Sequence, residues 1–417
     1  MSVSKFTINF LRRNSVLSAG ASGSNVFCDR GFGSAQPILK KIPEKKPDWN
    51  KAVAEAEKIV GYTTSFMSLR WLLSDEVANV AMHMRKLVGS NHPLLKAAKG
   101  LVFNGKNNMQ AWGLIVLLIS KALGYTSSVK ASDEDKVAGF LHTQRALAEV
   151  TEMIRTSHLI HKGLMNMQNN STEDISGDMI FGNKIALLSG DYLLSNSCME
   201  LANLQNQELV ELMSSAVRDL SESEFLGPRD LQNNPLPSPP RSQSSLYRFN
   251  FAEDPLDPVK IGDALGNAEA EWTLRNILES GSLLGKSCQG ALKLAGHSAK
   301  IQKQAYRFGR HLALSWQACL DCQPFSPGAT GSFSLVSAPV LYTLQDNHDL
   351  YREIEIGSKN VNEVDFERLR QNVLAGPGVQ MTKNLQQEHS DIAFEFLEKL
   401  PDSEARTALI NIMTALI

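Results

Sequence analysis

The sequence has no surplus of positive charge: 42 Lys and Arg stand against 44 Asp and Glu, a net charge of −2. Without a basic excess to neutralise phosphates, a general nucleic-acid binder is excluded. Cysteine is scarce. The five present (Cys28, Cys198, Cys288, Cys319 and Cys322) are too few and too scattered for a disulfide scaffold, which points to a reducing compartment. No run of 18 or more apolar residues occurs, and the mostly apolar stretch Gly113–Leu123 is too short to span a bilayer. Convincing period-2 alternation is missing as well, so strands are not expected.

Acidic residues are absent from one whole region. Met1 to Cys28 holds none, while Lys5, Arg12 and Arg13 are basic and serine is frequent. Phe6, Ile8, Phe10 and Leu11 give a turn or two of amphipathic character beside the arginines. That combination reads as a mitochondrial presequence; a short disordered tail is the plainer alternative. Residues 1–40 are therefore set apart from a folded part over 41–417.

What the folded part does have is helical periodicity. Asn50–Glu57 is rich in helix formers and is closed by Gly61. Further helices are expected over Ser74–Val88 and Pro93–Val102, around the wholly apolar Leu114–Ile119, and over Asn183–Leu204 and Glu208–Phe225. Glu269–Ala295 and Ala299–Cys322 follow, meeting near Gly296-His297, and helices resume from Asp365 to Ile417. The start signal Pro401-Asp402-Ser403-Glu404 opens the last one, whose apolar end needs a packed or interfacial setting. One segment differs. Gly227–Val259 holds seven of the 16 prolines, so it cannot sustain a helix and is expected as a surface loop. Within it, Pro237-x-x-Pro240 beside Arg241 superficially suits a polyproline-binding domain, though a plain insertion accounts for it.

The long helix expected over Arg145–Asn166 ends oddly. Leu147, Val150, Ile154 and Leu164 recur at helical spacing, with Glu149, Glu152 and Arg155 free to face elsewhere. Its last turn carries Ile160, His161, Lys162 and Gly163, then Asn166, and no carboxylate. This segment resembles the helix of trans-polyprenyl diphosphate synthases that bears their first aspartate-rich motif, Asp-Asp-x-x-Asp after Leu-His. Lys162, Gly163 and Asn166 fall on the three aspartates. Further along, Gly182-Asn183-Lys184-Ile185-Ala186 and Gly190-Asp191-Tyr192-Leu193-Leu194 are similar to the family's interface helix, making Gly182, Asn183, Lys184, Gly190, Asp191 and Leu194 interface candidates by resemblance. Gly309-Arg310-His311-Leu312-Ala313 with Trp316-Gln317 resembles the approach to the second motif, and Ser337–Leu341 and Gly376–His389 match later positions.

The departures are as informative as the matches. At the second motif Leu320, Asp321 and Pro324 stand where the family has three aspartates, so Asp321 alone remains. Trp112 stands at the arginine of the isopentenyl diphosphate site, with Gly105-Lys106 nearby but out of register. Glu279-Ser280 replaces a Lys-Thr pair, and Met167–Phe181 contains no arginine. By resemblance the fold is an all-α, isoprenoid-synthase-type helical bundle. The family's reaction ionises an allylic diphosphate on Mg²⁺ held by facing carboxylates. A lysine there repels the metal: a unit charge pair at ~4 Å is worth roughly 4 kcal/mol at an effective dielectric of 20, doubled for a dication.

The resemblance thus implies a non-catalytic subunit of a heteromeric trans-polyprenyl diphosphate synthase of the mitochondrial matrix, serving ubiquinone side-chain synthesis. No cofactor is expected in this chain. Mg²⁺ belongs to a homologous catalytic partner, with a heterotetramer and peripheral inner-membrane association through the product as corollaries. Two rivals are a self-sufficient prenyltransferase with a rebuilt site and an isoprenoid-binding scaffold. Local alternatives also stand open. Lys162 either holds a diphosphate or caps helix carbonyls. His158 and His161 are either a metal pair or packed histidines. Cys319-x-x-Cys322 is either a thiol motif or ordinary helix. Asp321 is a vestigial ligand or a helix end.

Overall fold

The computed structural model describes residues 47–61, 112–129, 139–164, 173–241, 264–356 and 360–417. The expected presequence, the helices expected over Ser74–Val88 and Pro93–Val102, Gly105-Lys106, Asn166 and the 242–259 part of the proline-rich stretch lie outside them.

The helix with no polar face lies at the centre. α2 (Trp112–Leu123) buries ten of its twelve residues, from Trp112 through Ser120 and Ala122. An all-round apolar helix has no other stable place in a water-soluble bundle. Around it pack α1 (Trp49–Val60), α3 (His142–His161), a later helix α7 (Ser282–Leu294) and the last helix, α13 (Glu404–Leu416). α1 starts where Asp48 accepts from the Lys51 amide and stops at Gly61, whose φ of 70° releases the chain in the left-handed region. α13 is capped by Ser403, which accepts from the Arg406 amide, and its apolar end packs on α1 and α2.

α4 (Glu173–Asn203) runs along α3, and α5 (Gln207–Ser223) follows the joint at Gln205-Asn206, where Gln205 has φ 51° and Asn206 caps the new helix. α4 starts ten residues before the expected Asn183. Gly182 lies buried inside the helix despite its poor helix propensity.

α6 (Ala268–Asn276) and α7 were expected as one helix. A π turn over Ile277–Gly281 separates them. The side chains of Asn276 and Ser280 bond back to the Trp272 and Asn276 carbonyls and so compete with the regular ladder. α8 (Ala299–Cys322) follows the turn at Gly296 as expected. α9 (Ala338–Asp346), α10 (Tyr351–Glu355), α11 (Phe366–Ala375) and α12 (Gly378–Glu398) complete the bundle, α12 lying along α8. No strand occurs among the described residues, so the all-α expectation holds for them.

The first part of the proline-rich stretch is not a loose surface loop. Leu236, Pro237 and Ser238 are buried, and the Arg275 guanidinium binds the carbonyls of Leu226 and Leu236 while pairing with Glu271. Glu271 in turn accepts from the Ser238 and Gly266 amides. Burying Pro237 also withdraws the Pro237-x-x-Pro240 motif from a polyproline reader. A proline run excludes helix, but it leaves carbonyls free for a buried arginine to gather.

α7 and α8 cross where Gly285 faces Gly309. A Cβ on Gly309 would sit 2.7 Å from the Leu284 carbonyl oxygen and 2.9 Å from Cys288 Sγ, and one on Gly285 would meet the Tyr306 carbonyl at 2.8 Å. Backbone cannot yield there without separating the helices. Gly309→Ala is therefore expected to lower stability by about 1–3 kcal/mol, measured as a shift of the urea midpoint; an unshifted midpoint would contradict the close crossing.

Candidate functional site

Lys162 lies just past the end of α3, which closes at His161 rather than running to Asn166. Its ammonium does not fold back on the helix carbonyls. It reaches across to donate to Glu279 in the π turn. Both positions are departures from the family pattern, and the fold brings them together. Lysine stands where the resemblance expects aspartate, and glutamate stands where it expects lysine. The two side chains keep 36% and 41% of their surface open, so solvent screens the pair and it closes the site more than it stabilises the fold. Burial opposes both charges, yet Glu279 holds the Lys162 pKa above its ordinary value and Lys162 holds that of Glu279 below. Glu224 and Arg229, ion-paired to each other at 3.3 Å, add to the local field. Gly163 is buried in the turn.

The neighbouring histidines diverge. Burial and then Lys162 push the His158 pKa down to about 4, so it is neutral. His161 turns towards α4, with Nε2 3.2 Å from Asp191 Oδ1 and 3.3 Å from the Leu187 carbonyl. Among the described residues no group of three or more His, Cys, Asp or Glu is placed to hold a metal ion. At the first-motif position the donor set is a lysine already satisfied by a carboxylate, which does not fit Mg²⁺.

The second-motif position is closed differently. Asp321 is 7% exposed. It accepts from Trp272 Nε1 at 2.7 Å, from Gln317 Nε2 at 2.8 Å and from the Ala338 amide at 2.9 Å. One carboxylate thus joins α6, α8 and the first turn of α9. The sequence readings, a vestigial ligand or the polar end of a helix, do not include this brace between helices. Burial raises its pKa to about 6 despite the three donors. Leu320 packs against the main core, and the carbonyl of Pro324 accepts from Arg370. Beside the brace, Trp272 stacks on His389 with ring centroids 6.1 Å apart, and His389 Nδ1 lies 3.0 Å from His311 Nδ1. Burial holds both histidines neutral, at about 4 for His389 and about 2 for His311. Trp272 escaped sequence reasoning because a lone indole within a helix reads as core. Cys319 and Cys322 are not in a disulfide, and burial raises the Cys322 thiol to about 11, away from thiolate chemistry.

Trp112, at the arginine position, is buried, and the Arg155 guanidinium lies 4.8 Å over its ring. Glu152 Oε1 accepts from the Gly113 amide at 2.6 Å, and Oε2 lies 3.7 Å from Arg155. Glu152 and Arg155 therefore face the core, not away from it as periodicity suggested. A polar network that satisfies a helix start overrides the apolar stripe. Burial raises Glu152 to about 7, outweighing Arg155 and the backbone donors, and lowers Arg155 to about 10.

The interface candidates divide between the two sides of α4. Gly182 and Gly190 are buried; a Cβ on Gly190 would lie 2.2 Å from His161 Nε2, and the Gly190 carbonyl accepts from Ser157. Leu194 packs against the core and Asn183 is half-buried, whereas Lys184 and Asp191 are exposed. On the outward side Ile180, Leu187, Leu188 and Met199 are each about half exposed, at 57%, 46%, 54% and 51%.

The family profile described as Polyprenyl synthetase matches residues 93–239. The all trans-polyprenyl-diphosphate synthase PDSS2 of Homo sapiens is 41% identical over 378 residues, covering 88% of this chain and 87% of the relative. The chain belongs to the polyprenyl synthetase family. A mitochondrial hexaprenyl pyrophosphate synthase of Saccharomyces cerevisiae is 30% identical over 66% of this chain and 63% of its own length. Among solved structures, an Arabidopsis medium/long-chain prenyl pyrophosphate synthase in its apo form matches at TM-score 0.51 with 25% identity, over 83% of this chain and 97% of that one. A Caulobacter crescentus polyprenyl synthase complexed with calcium and isoprenyl diphosphate shares the fold at TM-score 0.58 with 15% identity, over 90% and 98%. Within this family fold, Lys162 pairs with Glu279, Asp321 accepts from three donors, and Trp112 lies under the Arg155 guanidinium.

Two outcomes follow from these contacts. Asp321→Ala leaves the Trp272 and Ala338 donors unmatched and is expected to cost about 3 kcal/mol in chemical denaturation; a loss below about 1 kcal/mol would refute the brace. Glu152 binds its proton more tightly folded than unfolded, so its contribution to stability falls as pH rises from 4.5 to about 7. Relative to Glu152→Gln, the unsubstituted chain should lose about 3 kcal/mol across that window, read from urea unfolding at stepped pH; parallel curves would show that Glu152 does not titrate there.

Proposed function

We propose that this chain is the non-catalytic subunit of a heteromeric trans-polyprenyl diphosphate synthase that makes the isoprenoid side chain of ubiquinone. The observation that carries the reading is the Lys162–Glu279 pair: the position that should gather a dication carries a cation, already neutralised from across the site. Its chemistry leaves metal-assisted ionisation of an allylic diphosphate to a homologous partner that retains both aspartate-rich motifs and binds Mg²⁺. Relatives support the setting by their names. The human one is named a polyprenyl-diphosphate synthase, and those of Saccharomyces cerevisiae and Yarrowia lipolytica are named mitochondrial hexaprenyl synthases, the latter as probable. We place the protein in the mitochondrial matrix, with residues 1–40 as its presequence and 41–417 as its folded part. The product's hydrocarbon would bring the assembly to the inner membrane.

The contribution of this chain is a surface and a stable half of the assembly. The outward side of α4, with Ile180, Leu187, Leu188 and Met199 interrupted by Lys184 and Asp191, is the seat for the partner, and two such pairs make the heterotetramer. Cys198 is exposed on the same helix and reports on it without mutation.

Co-expression with the intact mitochondrial homologue tests the reading. Elongation is expected from the two chains together and not from this chain alone, and Cys198 should react with maleimide at least ten-fold more slowly in the complex. Magnesium-dependent prenyl transfer by this chain alone would establish a rebuilt active site instead. Partner activity unchanged by this chain, with Cys198 unprotected, would leave a scaffold without a synthase.

A further inference from the structure

The end of α3 meets α4 through one imidazole. Ser157 donates to the Gly190 carbonyl at 2.8 Å, and one turn further along α3 the His161 ring comes against the same glycine. A Cβ on Gly190 would lie 2.2 Å from His161 Nε2, so glycine leaves room for the ring as placed. Nε2 has two acceptors within reach, Asp191 Oδ1 at 3.2 Å and the Leu187 carbonyl at 3.3 Å. Facing only acceptors, that nitrogen carries a hydrogen whatever the state of Nδ1. The imidazole keeps 28% of its surface and the Asp191 side chain 58%.

Asp191 belongs to the outward side of α4. Leu187 and Leu188 precede it by one turn and are about half exposed, and Lys184 is exposed one turn before them. A partner laid on this side covers a carboxylate in the middle of an apolar stripe. Taking a carboxylate out of water is costly unless a cation neutralises it. The group in contact with Asp191 that can become a cation is His161. The other charged or titratable groups around the ring, among the described residues, are His158, Arg155 and Lys162 on α3 and Glu279 from the π turn. Lys162 pairs with Glu279, Arg155 faces Glu152, and His158 is neutral. Asp191 is therefore left to His161.

We infer that His161 takes up a proton when a partner seats on α4, so that the pairing tightens as pH falls. The inference rests on the seat proposed above and adds its regulation. The proton comes from solvent and joins Nδ1, since Nε2 already holds its hydrogen. Covering Asp191 withdraws water from the carboxylate and so raises the value of a positive charge beside it. The complex then binds more protons than the separate subunits, and affinity rises as pH falls through the range where histidine gains charge. The same linkage runs backward: a more alkaline medium loosens the assembly.

Isothermal titration calorimetry of the full chain into the intact mitochondrial homologue, in buffers of different ionisation enthalpy, counts the protons exchanged. Near neutral pH the unsubstituted chain should take up about half a proton more than either variant below, and its Kd should weaken about five-fold from about pH 6 to about pH 8. His161→Gln keeps an amide donor for the Leu187 carbonyl and removes the titrating ring. Asp191→Asn keeps the shape and removes the carboxylate. Both variants are expected to pair, with a flatter pH profile, and Asp191→Asn should pair at about pH 8 as tightly as the unsubstituted chain does at about pH 6. A complex whose proton count and pH profile survive both substitutions would overturn the regulation alone. No complex at any pH would overturn the heteromer and, with it, this regulation.

Discussion

The character of the site depends on one electrostatic contact: a cation at the end of α3 meets an anion in the π turn before α7. A metal-dependent site of this family needs negative charge on the first element and reaches towards positive charge on the second. With a lysine on the first and a glutamate on the second, the two elements attract each other, and the lysine disfavours entry of a dication. That combination separates loss of chemistry from loss of fold. A single reversal would have set like charges against each other across the mouth, with a repulsion of the same order as the lost attraction.

The same logic recurs at other altered positions, by different means. Asp321 lost its companions and gained three donors, so a group suited to a metal became a junction between helices. Trp112 took the place of a charged side chain, and Arg155 from the adjacent helix settled over its ring, with Glu152 closing the start of α2. Buried polar groups persist when satisfied and are costly when not. Asp321 and Lys162 meet this requirement through internal partners, without a bound substrate.

The all-α architecture was legible in the sequence because it rests on periodicity. Leu114–Ile119 announced a fully buried helix, Ala299–Cys322 matched the observed bounds, and Gln205-Asn206 marked a joint. The sequence missed what depends on partners far along the chain. Lys162 and Glu279 were each visible as departures, but their meeting spans 117 residues and no local pattern encodes it. Glu152 and Arg155 read as solvent-facing because polar residues usually are, whereas one caps α2 and the other covers an indole. The proline-rich segment read as loose because proline forbids helix; its anchoring by Arg275 uses carbonyls, which a one-dimensional reading does not weigh. The π turn was invisible for the same reason, since side chains bonding backward to carbonyls leave no periodic trace.

The lone aspartate of the second motif carries a lesson about reversibility. A descendant that restored the neighbouring carboxylates would still find this one engaged, one oxygen shared between an indole and the opening amide of α9. Freeing it for a cation would undo the seams among three helices before any coordination could compensate.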